Sequence, residues 1–124
     1  MGSMPTGLLM THQTKEGDSI VLTFAGSAET EALESLAKTL EAAHTEAVDV
    51  HASAVIADIR AVEFASSSCL KVFVSWLQRV QSLDDGQRYK VVFRSDNRQS
   101  WQRRSLGALA AFASGIVELR PEVA

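Results

Sequence analysis

The sequence is poor in cysteine, proline and aromatic residues. Its 124 residues include one cysteine, two prolines and 6% aromatic side chains. Because a single thiol, Cys69, can form neither an internal disulfide nor a four-thiolate metal site, the fold must depend on its hydrophobic core, and a reducing, cytoplasmic location is expected. The apolar stretch over residues 106–113 contains a glycine and is far shorter than the roughly 20 residues that span a bilayer. We therefore expect no membrane insertion and no secretory leader.

Charge of one sign does not dominate the chain either. The net charge is −3 and the sequence pI is about 5.6, so the molecule as a whole has no attraction to nucleic acid or to an anionic membrane. The charge is distributed unevenly, with a net −7 over residues 1–59 and a net +4 over residues 60–124. This asymmetry indicates either an oriented surface or simply one acidic, solvated helix over residues 29–46.

One basic cluster in the second half of the chain allows two interpretations. Trp101 is surrounded in the sequence by four arginines: Arg94, Arg98, Arg103 and Arg104. Basic residues beside an aromatic ring are typical of contacts with single-stranded nucleic acid or an anionic lipid headgroup. The alternative is a set of ion pairs with the acidic first helix. Because the chain is acidic overall, we expect no nucleic-acid partner.

Sequence motifs for catalysis, phosphate binding and metal binding are missing. No Gly-x-Ser-x-Gly elbow surrounds a serine, and no glycine-rich phosphate loop is present. Four possible metal ligands lie close together in the sequence but match no strong spacing motif: His44, Glu46, Asp49 and His51. We therefore predict a non-enzymatic protein without catalytic residues, cofactor or bound metal.

The hydrophobic pattern predicts a single α/β domain over residues 5–124, with residues 1–3 as a cloning remnant. Strands are predicted over residues 7–12, 19–24, 54–59, 89–93 and 116–119. Helices are predicted over residues 29–46, with Ser27 as the cap, and over residues 69–83 and 98–112. The order β-β-α-β-α-β-α-β indicates a mixed, mostly parallel sheet with an N-terminal β-hairpin and three to four helices.

Residues 55–70 read VIADIRAVEFASSSCL. An apolar strand with Asp58 is followed by Val-x-Phe and by three serines that open a helix. This order resembles the signature of STAS domains, the sulfate-transporter and anti-sigma-factor-antagonist family, in which Asp-Ser-Ser-Gly-Leu begins the helix. The matching residues are Asp58, Val62, Phe64, Ser67, Ser68 and Leu70. Ser66 and Cys69 stand where the family has Asp and Gly.

The resemblance implies a stand-alone STAS-like domain that works by protein binding, as a bacterial anti-sigma factor antagonist or a related partner-switching regulator. It implies that Ser67 is phosphorylated by a partner, an ATP-binding serine kinase of the histidine-kinase-like type that is also the anti-sigma factor. Ser66 and Ser68 would flank the modified residue, and Asp58 would support the site from the end of its strand. Cys69 would place a side chain where a partner backbone comes close, which implies an altered partner surface.

Elementary electrostatics supports a switch at this position. The start of a helix offers unpaired N–H groups and the positive end of the macrodipole, so the domain itself should tolerate a phosphate on Ser67. A docked partner would instead meet a new charge of about −1.5 to −2. In the alternative interpretation, the three serines are only caps and turn formers, and Ser66 supplies the capping oxygen that Asp supplies in the family.

The second predicted helix has an unusually broad apolar arc. Cys69, Val72 and Trp76 lie on one side of its inward stripe and are predicted to face solvent beside the serines, where Trp76 would anchor a partner. The alternative is a more deeply buried helix. The candidate partner-binding residues are therefore Asp58, Ser66, Ser67, Ser68, Cys69, Val72 and Trp76.

A second function stays open at this point. Free-standing STAS domains also resemble accessory subunits that bind the ATPase of a lipid-type ABC transporter, where the same helix start contacts the partner constitutively. A third possibility, a small-ligand sensor with a pocket between the sheet and the first helix, has no positive feature in the sequence.

Overall fold

The structure is a computed structural model that describes residues 9–122. The predicted cloning remnant, the start of the first predicted strand and the two predicted domain limits lie outside these residues. The strands are β1 (Met10–Glu16), β2 (Ser19–Ala28), β3 (Ala54–Ala65), β4 (Lys90–Asp96) and β5 (Val117–Glu122). The helices are α1 (Leu33–Asp49), α2 (Ser67–Gln81) and α3 (Ser100–Phe112). The predicted element order and fold class are confirmed.

The five strands form one sheet in the order β1-β2-β3-β4-β5. β1 and β2 form the predicted antiparallel hairpin, whose two-residue turn begins at Gly17 with φ of 63°. The other neighbours are parallel. β2 continues to Ala28, so Ser27 lies within the strand and the prediction that it caps α1 was wrong. A 3-10 turn over Thr30–Ala32 leads into the helix instead.

All three helices pack on the same face of the sheet. Buried residues of α1, α2 and α3 belong to one hydrophobic cluster with every second residue of the central strands, such as Leu22, Ala57 and Phe93. Consecutive strands are neighbours, and right-handed crossovers that advance in one direction place every helix on one side. Among residues 9–122, no helix is long and apolar enough to cross a membrane.

The opposite sheet face is covered by side chains of the strands themselves. Val21, Ile56 and Val92 form a small separate cluster there and are 5%, 4% and 2% exposed. Arg60 donates hydrogen bonds to Asp58 at 2.7 and 2.9 Å and to Glu122 at 2.8 Å. These charged side chains shield the apolar strip and link β3 to β5.

Further ion pairs extend this network to the hairpin. Arg94 Nη2 of β4 lies 3.2 Å from Glu16 Oε1 of β1. The predicted pairing of the basic cluster with the first helix was wrong for Arg94, and also for Arg98, which pairs with Asp96 at 2.9 Å. The acidic residues of α1 have other partners. Glu46 pairs with Lys15 of β1 at 3.4 Å, and Glu34 pairs with Lys38 of α1 itself at 3.6 Å.

A chain of hydrogen bonds crosses the core between the two neighbouring helices. Trp76 Nε1 of α2 donates to the Tyr89 hydroxyl at 2.9 Å, and His44 Nδ1 of α1 lies 2.7 Å from the same hydroxyl. Because the indole N–H can only donate, the hydroxyl accepts from it and can give its own proton to Nδ1 of a neutral His44. Burial raises the pKa of Tyr89 to about 12.

The four possible metal ligands do not converge. His44 is buried against Tyr89, whereas Glu46 Oε1 accepts from Gln13 of β1 at 2.9 Å. Asp49 and His51 are exposed at the end of α1. Within residues 9–122, no group of three or more His, Cys, Asp or Glu residues is placed to hold a metal ion.

We predict that acid weakens the fold through His44. Burial, and then the nearby charge of Arg79, lower the pKa of His44 below its ordinary value of 6.5. The unfolded chain therefore binds a proton on His44 more readily than the folded chain does. The contribution of neutral His44 to the free energy of unfolding is complete above pH 6.5. It is lost as the pH falls from 6.5 through the lowered pKa. Urea unfolding between pH 5 and 7.5 measures the slope, and His44→Gln should flatten it. An equal slope in the variant would contradict the role of His44.

Candidate functional site

The start of α2 is held against the end of β2. The backbone N–H of Ser66 donates to the Ala28 carbonyl at 2.8 Å, directly after β2 and β3 end side by side. The Ser66 backbone is extended, and its hydroxyl accepts from the N–H of Cys69 at 3.2 Å. Ser66 is therefore the N-cap of α2, as predicted, and replaces the family's Asp with a neutral acceptor.

The side chains of the next two serines, Ser67 and Ser68, take no part in this cap. Ser67 is the first residue of α2, and both Ser67 and Ser68 are exposed. Their N–H groups belong to the first turn, which has no intrahelical acceptors, at the positive end of the helix dipole. Lys71 is exposed one turn later, four residues from Ser67, where an acidic group on Ser67 would find a favourable partner.

Phe64 is an exposed aromatic residue beside the serines. Its side chain is 51% exposed, and it pairs in register with Ser27 of β2. From the sequence, Phe64 was identified only as a motif residue. The predicted third strand ended at Ile59, so the alternation of the strand could not predict whether the Phe64 side chain is exposed. An exposed large apolar side chain next to a free helix start is typical of a protein interface.

Phe64 and the serines define one continuous region, which we name the α2 start surface: residues 27–30 and 64–68. Its two segments are joined by the hydrogen bond from Ser66 to Ala28 and by one from the Cys69 thiol to the Glu29 carbonyl. Two acidic residues are exposed here: Glu29, which belongs to this surface, and Glu63, which precedes Phe64 in the chain. The rim of the surface is therefore acidic. A partner that fits this surface should offer an apolar pocket for the ring of Phe64.

Cys69 does not contribute a side chain to this surface, contrary to the prediction. It is fully buried, and its thiol donates to the Glu29 carbonyl at 3.3 Å. The side chain points into the domain because the 3-10 turn after β2 packs over the first turn of α2. Cys69, where the motif has glycine, therefore adds an internal contact with Glu29. The exposed surface at the start of α2 is formed by the neighbouring residues.

The prediction that Trp76 is a solvent-facing anchor was also wrong. Trp76 is only 3% exposed and packs against Phe73 and Phe93 in tilted or edge-on geometry. Val72 is partly buried against the same core. The broad apolar arc of α2 is explained by its two neighbours, since one side packs on the sheet and the other on α1.

Asp58 lies away from the serines. β3 continues for seven residues beyond it to Ala65, so Asp58 is not at the strand end as predicted. It lies on the helix-free face of the sheet, bound to Arg60. Burial raises its pKa, but the hydrogen bonds and charge of Arg60, with the charge of Arg94, outweigh this effect and hold the pKa below its ordinary value.

An apolar cavity of about 20 Å³ lies on the helix side of the sheet, bordered by residues of α2 and α3 such as Leu70, Phe73 and Leu106. This volume is close to that needed for a single water molecule, and the lining offers a ligand no polar group. The cavity therefore gives no support to a small-ligand site.

We predict that the cap residue and the exposed serines have separable effects on stability. Ser66→Ala removes the hydroxyl that satisfies the Cys69 N–H and should lower the free energy of unfolding by about 1 kcal/mol. Ser68→Ala is the matched control and should change it by less than about 0.5 kcal/mol, because its side chain is exposed. Chemical denaturation measures both. Equal losses would show that Ser66 is not the structural cap.

Comparison with solved structures identifies the fold. The chain is similar to the crystal structure of an anti-sigma factor antagonist from Mycobacterium paratuberculosis, with a TM-score of 0.70 and 16% identity over 94% of this chain and 88% of that chain. It is also similar to the Bacillus cell fate determinant SpoIIAA in its phosphorylated form, with a TM-score of 0.57 and 12% identity over 91% of this chain and 93% of that chain. No family model and no curated protein sequence matches the chain. The fold of this chain is that of a STAS domain.

Proposed function

We propose that this chain is a non-enzymatic, cytoplasmic regulator that binds a protein partner through the α2 start surface and is controlled by phosphorylation of Ser67. The partner class is an anti-sigma factor that is also an ATP-binding serine kinase. The observation that carries the proposal is that adjacent serines have different roles. Ser66 caps the helix, whereas Ser67 is exposed and accessible to a kinase.

The domain can accept the modification without refolding. Transfer of the terminal phosphoryl group of ATP to the Ser67 hydroxyl oxygen releases ADP and the hydroxyl proton, and it leaves the Ser66 cap unchanged. The new phosphate lies at the positive end of α2, one turn from Lys71, and both features stabilise negative charge. The Ser67 hydroxyl is not used by any core contact that would have to break.

The same phosphate opposes the docking of a partner. It adds a charge of about −1.5 to −2 beside Phe64, whose exposed ring would otherwise enter an apolar pocket. The acidic rim at Glu29 and Glu63 makes the local potential still more negative. A partner surface that matches the unmodified site would then bury an unpaired phosphate, which costs more than the contact contributes.

The similar structures support this function class. One is an anti-sigma factor antagonist, and the other was solved in a phosphorylated form. Both cover about nine-tenths of the chain, so the same architecture is used by regulatory proteins of this kind.

The accessory subunit of a lipid-type transporter ATPase is the alternative from the sequence. Two departures from the motif favoured it: Ser66 in place of Asp, and Cys69 in place of Gly. Ser66 is used as the N-cap of α2 and Cys69 is buried, so neither departure adds a new side chain to the exposed surface. Trp76, the expected anchor for such a partner, is buried as well.

We predict that partner capture depends on Ser67 and Phe64. Quantitative pull-down from lysate of the source cells, read by mass spectrometry, should recover an ATP-binding kinase or anti-sigma factor with wild-type bait and with Ser67→Ala. Recovery should fall at least about tenfold with Ser67→Glu and with Phe64→Ala, since hot-spot residues contribute about 2 kcal/mol or more. The recovered wild-type bait should carry phosphate on Ser67.

The matched control for the aromatic variant is Phe112→Ala. Phe112 is 43% exposed at the end of α3, outside the α2 start surface, so its removal should leave recovery unchanged. A transporter ATPase recovered equally by wild type and Ser67→Glu, with no phosphate on Ser67, would contradict the switch and favour the accessory-subunit function.

We also predict that the phosphomimetic change is harmless to folding. Ser67→Glu places a carboxylate in the first turn of α2 and should raise the free energy of unfolding by about 0.3–1 kcal/mol at low salt. Ser67→Lys, the charge-reversed control, should lower it by a similar amount. Thermal unfolding at low and high salt measures both shifts. A large loss of stability in Ser67→Glu would show that weaker partner binding reflects unfolding.

A further inference from the structure

The two edges of the sheet differ in their protection against pairing with another strand. β5 contains Pro121, which has no backbone N–H and so interrupts pairing along that edge. β1 has seven residues, all exposed and none of them proline, and it pairs with β2 without a bulge. Within residues 9–122, the outer edge of β1 pairs with no strand. A regular edge with neither proline nor bulge can accept the backbone of an added strand.

The hairpin turn determines which backbone groups of β1 point away from the sheet. Glu16 and Ser19 flank the two-residue turn, and such flanking residues exchange both backbone hydrogen bonds. Hydrogen-bonded pairs alternate along an antiparallel ladder, so every second residue back from Glu16 also bonds to β2. The remaining residues direct their N–H and C=O groups outward: Thr11, Gln13 and Lys15.

We infer that β1 is a homodimer interface, on which β1 of a second copy of this chain pairs in antiparallel orientation about a twofold axis at Gln13. In this register Gln13 faces Gln13 of the second copy, and Thr11 faces Lys15 of the second copy in both directions. All three outward-facing residues then form hydrogen-bonded pairs, with about six backbone hydrogen bonds. A shift by two residues in either direction leaves only two such pairs of β1 residues.

Side-chain chemistry agrees with this register. No like charges face each other, because Lys15 is opposite Thr11 and Glu16 is opposite Met10, an exposed apolar residue. The diagonal neighbour of Glu16 is His12 of the second copy, within reach of a carboxylate. The pairing therefore brings together complementary or neutral side chains along the whole strand.

The helix-side residues of β1 are already ordered in the single chain. Glu46 of α1 accepts from Gln13 at 2.9 Å and lies 3.4 Å from the Lys15 ammonium. Fixing these two side chains before association lowers the entropy that pairing must overcome. This inference does not depend on the function proposed for the α2 start surface.

Cysteine cross-linking tests the register directly. In an antiparallel hydrogen-bonded pair the Cα atoms are about 5.5 Å apart, which permits a disulfide. Under mild oxidation Gln13→Cys should give a covalent dimer, whereas Thr11→Cys and Lys15→Cys should each stay monomeric alone and cross-link when mixed. Native Cys69 is fully buried and provides no background. Equal cross-linking of the three separate variants, or none with Gln13→Cys, would overturn the proposal.

Sedimentation equilibrium with a matched pair of substitutions tests the backbone contribution without a cross-link. Gln13→Pro and Gln13→Ala both remove the side-chain bond to Glu46, but only the proline removes the outward N–H. From about 1 μM to about 1 mM, wild type and Gln13→Ala should reach the dimer mass and Gln13→Pro should remain monomeric. Thermal unfolding verifies that Gln13→Pro is folded. A monomeric wild type over this range, or equal dimerisation of both variants, would overturn the proposal.

Discussion

The order of the strands is the constraint on which the rest of this structure depends. Because β2 to β5 follow one another as parallel neighbours, right-handed crossovers place all three helices on one face. α1 and α2 must then lie side by side, which buries Trp76 and Cys69 between layers. The opposite face receives no helix from residues 9–122, so a network of charged side chains, centred on Arg60 and Arg94, covers its small apolar strip.

The same constraint brings the start of α2 to an accessible end of the sheet. β2 and β3 end together, and the main-chain bond from Ser66 to Ala28 fixes where the helix begins. Of the three serine hydroxyls at the start of α2, only that of Ser66 takes part in capping the helix. The next serine and the exposed ring of Phe64 are thereby available for recognition, and a charge can be added there without cost to the core.

The sequence was sufficient for the element types and their order, because the hairpin turn, the alternation in β2 and the helical spacing in α1 and α2 are local signals. It was also sufficient for the Ser66 cap, whose chemistry is local. It failed for Trp76 and Cys69, since a periodic pattern shows that a helix has a broad apolar arc but not which neighbour covers it. It failed for Asp58 because the length of β3 was missed, since Arg60 and Glu63 interrupt the apolar run of the strand.

We propose that a partner binds the α2 start surface and that phosphate on Ser67 releases this partner without altering the fold. Hydrogen exchange of the chain alone, of its Ser67-phosphorylated form and of both with the recovered partner tests this most directly. We expect the partner to slow exchange over residues 26–32 and 64–71 in the unmodified protein only, with equal core protection in both forms. Protection on the helix-free sheet face instead, or loss of core protection on phosphorylation, would contradict the account.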